Sequence, residues 1–189
     1  MEQLHPQRLS VLICLSLFLA IFNSCQIKDP LPEPTQTGAN TFGCKIDGEN
    51  WIPNGAKGFM APGPVEGGFA RDIIFKKGIV ISVTARSKDG KAIHLFVFDS
   101  KVGKYLLNRD TTPYQGYLKP VSFASYHSGK GVAFATDSLH TGYIEITKAD
   151  TTTGTVSGTF EFEAGPASNL ATGTHKVTKG RFDVNYAGQ

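Results

Sequence analysis

The chain holds a single tryptophan, two methionines and three cysteines, and beyond its first two dozen residues it has no long apolar run. Each scarcity excludes a class of function. The Cys-x-x-Cys, His-Glu-x-x-His and His-x-His spacings that mark strong zinc sites are missing, and His94, His127, His140 and His175 stand far apart, so no metal is expected. No Gly-x-Ser-x-Gly elbow occurs; the serine of the nearest string, Gly154 to Gly158, sits at the wrong offset for a nucleophile. The Gly-rich stretches lack a Gly-Lys-Ser/Thr ending and are not followed by a helix that could hold phosphate at its end. A formal net charge of +3, spread evenly, argues against a nucleic-acid partner. Neither a cofactor nor a catalytic residue is expected, and the chain reads as a non-enzyme.

What the chain does have begins at its amino terminus. Arg8 leads into an uncharged apolar run from Leu9 to Phe22, then Asn23, Ser24 and Cys25. The run is shorter than the ~20 residues of a membrane span. A positive start, an apolar middle and a small residue at the cut make a secretory signal. A cysteine directly after the cut resembles a bacterial lipoprotein signal, although Phe22 and Asn23 stand where Leu and a small residue are usual. The resemblance implies that residues 1–24 are removed and that Cys25 carries lipid; plain secretion and an uncleaved anchor are the alternatives. With Gln26 rather than Asp after the cysteine, it implies the outer membrane, on the periplasmic face or the cell surface. Cys14 leaves with the signal, which makes Cys44 solitary and leaves no internal disulfide. Residues 25–41, with Pro30, Pro32 and Pro34, read as an extended, flexible tether of ~3.1 Å per residue.

From Thr41 onward the pattern is β almost throughout, with no helical periodicity. Phe42, Cys44 and Ile46 alternate with Gly43, Lys45 and Asp47, and Asp47-Gly48 turns the chain. Residues 54–70 and 108–120 read as long loops. Strands are expected over 71–76, 79–86, 92–99, 104–107, 121–126, 132–136 and 142–148. In the strand 92–99 Ile93, Leu95 and Val97 face one way and Phe96 and Phe98 the other, as in a strand covered on both sides. Over 155–164 Phe160, Phe162 and Ala164 point inward, with Gly158 at a bend or bulge. Over 181–186 Phe182, Val184 and Tyr186 point inward, with Arg181, Asp183 and Asn185 outward. About ten short strands predict one all-β domain over 42–189, an antiparallel β-sandwich or a β-barrel-like fold.

The segments FGCKIDGENWIP, GYIEITKAD, TVSGTFEFEA and VTKGRFDVNY, in that order behind such a signal, resemble a family of small Gram-negative envelope lipoproteins of unknown function. The resemblance supports fold and address and brings no active site with it.

Four groups of residues merit weighing as sites. Cys44, between Phe42 and Ile46, reads as a small buried side chain rather than a nucleophile, which would need a base and partial exposure. Glu161 and Glu163 share a strand face ~6.5 to 7 Å apart. That suits a glycosidase pair, but alternation with Phe160 and Phe162 is also what a solvated sheet face shows. Asp89 and Asp110 lack the dense oxygen spacing of a calcium loop. The candidate ligand surface is the loop aromatics, Tyr114 and Tyr117 with Tyr126 and His127 just beyond, and Phe59 and Phe69 in the other loop. The sequence thus predicts a lipid-anchored binding or scaffold module for a glycan or an envelope protein. The alternatives are a lipocalin-like carrier, with Val80, Phe96 and Phe98 lining a cavity, and a hydrolase of envelope or extracellular polymers.

Overall fold

A computed structural model describes residues 30–58, 60–72, 78–108 and 121–186. Eleven strands follow one another along the chain: β1 (Thr41–Ile46), β2 (Glu49–Trp51), β3 (Val65–Asp72), β4 (Gly78–Arg86), β5 (Lys91–Val97), β6 (Gly103–Leu107), β7 (Phe123–Gly129), β8 (Val132–Ala135), β9 (Gly142–Asp150), β10 (Thr155–Pro166) and β11 (His175–Asn185). All pairings among the described residues are antiparallel, so the expected all-β fold of about ten strands is present.

The strands form one curled sheet, a half-barrel, ordered β2-β1-β11-β10-β8-β7-β5-β4-β3, with β9 on β10 and β6 on β9. The corner is made by β10. Its first part pairs with β9 and β11, and its last residues, Gly165 and Pro166, pair with Ala135 and Phe134 of β8. The two halves of the sheet thereby close over a single core. Phe42, Cys44, Phe160, Phe162 and Phe182 come from one half, and Ile81, Val83, Ile93, Leu95 and Tyr126 from the other. Burial of such side chains at ~25 cal/mol per Å² of apolar surface is what drives the curl.

Glycine and phenylalanine are matched across the strands in this core. Gly180 stands opposite Phe160, Gly158 opposite Phe182 and Gly142 opposite Phe162. A Cβ on Gly180 would come within 2.4 Å of the Phe160 ring, and one on Gly158 would meet the Phe182 ring at 3.0 Å. The register of β10 against β9 also shifts at Ser157/Gly158, the bulge expected there.

Four expectations need correction. Residues 54–70 are not all loop, because β3 begins at Val65. Its glycines hid it: Gly67 has φ +118° and lies so close to the Ser82 backbone that no side chain fits. Tyr186 is exposed, because β11 ends at Asn185 and the alternation ends with it. Asp183, expected outside, is only 1% exposed. The reason lies in the fourth correction: from Leu31 the supposed tether is not free but lies along β1 and β11. Leu31 is 2% exposed, and it and Pro32 cover Gly43. The Asp183 carboxylate accepts bonds from the Thr35 hydroxyl (2.7 Å) and from the N–H groups of Thr37 (2.9 Å), Gly38 (2.9 Å) and Ala39 (3.2 Å). The Thr37 hydroxyl (3.3 Å) and Ser157 Oγ (2.7 Å) add two more. Burial alone pushes this carboxyl up, but the bonds from Thr35, Ser157, Ala39 and Gly38 outweigh it and hold its pKa at about 2.

Candidate functional site

The alternation along β4, β5 and β7 sends one set of side chains into the core and the other to the outer face of the sheet. On the outer face three rows run across the strands: Ser82, Phe96 and Phe123; Thr84, His94 and Ser125; Arg86, Ala92 and His127. The second and third rows line a shallow groove of about 490 Å³, whose upper rim is Gly90, Gly129 and Gly131 of the adjoining turns. The first row continues it as an aromatic step, in which Phe96 and Phe123 stack at 5.2 Å and the His94 ring meets Phe123 edge-on at 5.5 Å.

His94 is the centre of this face. Its Nε2 lies 3.0 Å from Ser82 Oγ. Burial first, then the charge of Arg86 and the nearness of His127, lowers its pKa to about 4, so it is neutral at ordinary pH. Among the described residues no carboxylate bonds the ring, so the Ser82–His94 pair lacks the orienting third group of a nucleophilic triad. Glu66 on β3, opposite Thr84, is bonded to Arg86 at 2.7 Å. The arrangement offers hydroxyls, an imidazole, a guanidinium and an aromatic step, which is chemistry for holding a polar ligand.

The residues singled out in the sequence fall differently. Cys25, Tyr114, Tyr117 and Phe59 lie outside the described residues. Tyr126 and His127 do not form one surface, because neighbouring residues on a strand face opposite ways. His127 is exposed on the groove, whereas Tyr126 is 3% exposed inside the core, stacked on Phe134 at 6.1 Å. Burial, with Asp47, Asp89 and Cys44 adding to it, raises the Tyr126 phenol to about 12. Phe96 is on the outer face, Phe98 lies 6.3 Å from it just past the end of β5, and Val80 is buried on β4. Cys44 is fully buried, and burial pushes its thiol up to about 12. Glu161 and Glu163 face outward beside Lys176 and Tyr143 around a smaller hollow of about 230 Å³. Among the described residues no three metal-ligating side chains cluster.

Sequence reasoning missed two features. At the edge of the core His175 Nδ1 lies 2.6 Å from Asp47 Oδ2, with its ring edge-on to Phe134 (4.4 Å) and Tyr126 (5.0 Å). The Asp47 carboxyl is held low by His175 and the Lys176 N–H against the opposing effect of burial. This pair fastens the β1–β2 turn to β11. The second is a crevice of about 420 Å³ bordered by Trp51, Ile52, Lys57 and Lys88.

Residues 71–184, most of the domain from the end of β3 to the penultimate residue of β11, match the family model for a domain of unknown function, DUF6252. The chain belongs to that family. No curated protein and no solved structure matches it. The family match covers β4, β5 and β7 and therefore the whole groove.

Proposed function

We propose that this protein is a lipid-anchored envelope module, held at Cys25 in the outer membrane, that binds a glycan in the outer groove of β4, β5 and β7. The observation that carries the reading is the juxtaposition on one sheet face of an aromatic step, Phe96 and Phe123, with Thr84, His94, Ser125, Arg86 and His127. Sugar rings present apolar C–H faces that rest on aromatic rings and hydroxyls that bond to such polar groups. Two further observations support it over the rival readings. The space between the halves of the sheet is filled by side chains such as Phe42, Phe160, Ile93 and Leu95, which leaves the carrier reading without the lining it needs. Among the described residues the groove histidine has no carboxylate partner, and Glu161 and Glu163 lie on the other half of the sheet, so the groove itself is better suited to holding a ligand than to acid–base chemistry.

The test is calorimetric titration of the purified full chain with polysaccharide fragments from its own envelope. The wild type is expected to bind without releasing products, and Phe96→Ala and His127→Ala each to weaken binding tenfold or more. Unchanged affinity in both variants would remove the groove from the account. Binding of an envelope protein instead of a glycan would keep the surface and change its partner.

A further inference from the structure

Several connections lie at one end of the curled sheet: the β1–β2 turn at Asp47-Gly48, the β4–β5 turn at 87–90, the β7–β8 turn at 130–131 and the loop 167–174 before β11. The connection from β2 to β3 joins them. Gly55 N–H bonds to the Arg86 carbonyl, and the loop then doubles back, with the Ala56 N–H on the Pro62 carbonyl. Its tip carries Met60, 90% exposed and with φ +60°, a backbone state that L side chains avoid. Nothing in the core requires an apolar side chain there. Ile52 is exposed nearby, and Lys57, Lys88 and Lys130 are exposed on the same turns, with Lys176 opposite Glu163, against Glu49, Asp89 (paired with Lys91) and Asp47 (paired with His175). Between them lies the crevice bordered by Trp51, Ile52, Lys57 and Lys88.

The course of the docked segment bears on the same end. Ala39 and Gly38 are held at Asp183, opposite Thr41, whereas Pro32 and Leu31 cover Gly43. Followed backwards, the chain therefore runs from the far end of β1 towards the end with these turns. Only five residues separate Leu31 from Cys25, a reach of about 20 Å at most.

We infer that this end of the domain, with Met60 at its tip and the Trp51–Lys57–Lys88 crevice beside it, rests on an anionic lipid surface. The proposal builds on lipid attachment at Cys25. Met60 and Ile52 enter the boundary of the acyl chains, and the lysines meet the phosphates of headgroups. The groove then lies with its glycine rim nearest the bilayer, open to material at the membrane surface.

The experiment uses the full chain recovered from bacterial membranes and placed in vesicles of phosphatidylethanolamine and phosphatidylglycerol. Met60→Cys and, at the opposite end, Ile79→Cys receive a polarity-sensitive fluorophore; Cys44 is fully buried and stays unlabelled. The expected result is a blue shift at position 60, with quenching by an aqueous quencher reduced threefold or more relative to position 79. Omitting phosphatidylglycerol is expected to lose most of that protection. Equal quenching at both positions, or protection at 79 instead, would overturn the proposal while leaving the anchor intact. The intact mass separates the two claims: a Cys25 without lipid overturns the anchor and the orientation together.

Discussion

At the scale of the single residue, the physical states of Cys44 and His94 follow from burial, and both make measurable predictions. Cys44 is sealed between Phe42 and Ile46 with its thiol pushed up to about 12, so it is expected to resist thiol reagents at pH 8 until the protein unfolds. Cys44→Ser leaves a hydroxyl without a partner and is expected to cost about 2 kcal/mol in chemical denaturation. His94 has its folded pKa, about 4, below the unfolded value of about 6.5. The unfolded chain therefore binds more protons between these values. The contribution of His94 to stability is fully present above pH 6.5 and is lost as pH falls towards 4, by up to about 3 kcal/mol. A His94→Gln variant is expected to flatten this part of the stability–pH curve, measured by urea unfolding at fixed pH steps. The sequence made the burial of Cys44 legible because period-two alternation needs only neighbours. It misled over Tyr126 because a run of polar and aromatic residues does not say which face is the core; that is decided by Phe134 and His175, distant in the chain.

At the scale of the element, the strands with plain alternation, β1, β5 and β10, stand where the sequence put them. The ones it missed or shortened have their pattern broken for a reason that lies elsewhere in the molecule. The start of β3 is written in glycines because the Ser82 backbone approaches there, and β11 conceals a buried Asp183 because a preceding segment covers it. Gly180→Ala tests the glycine–phenylalanine matching: the added Cβ must displace the buried Phe160 ring, and a loss of about 3 kcal/mol is expected in thermal unfolding. Asp183 tests the docked segment. Its folded pKa, about 2, is below the unfolded value of about 3.9, so its contribution of about 2 kcal/mol is present above pH 4 and is lost as pH falls through 2. Asp183→Asn is expected to remove most of it at pH 7. The same change is expected to expose residues 33–40 to limited proteolysis, to which the wild type resists. Equal cleavage of both proteins would mean that Leu31 and Pro32 alone hold the segment.

At the scale of the whole molecule, the filled core turns attention to the outer surfaces. The groove was only partly visible in the sequence: His127 was named, but Arg86, His94 and Ser125 come together only through the β4–β5–β7 register. With the proposed lipid at Cys25, the docked segment from Leu31 onward shortens the leash to the domain and, on that proposal, sets the groove near the membrane rather than far above it. The most direct test of glycan binding is native mass spectrometry of the intact chain released from its own envelope in mild detergent. The account predicts a discrete sugar-containing mass on the wild type that is absent from an Arg86→Ala/His127→Ala variant of the same thermal stability. An apolar lipid retained equally by both proteins, or a chain that stays bare when offered envelope glycans, would contradict it.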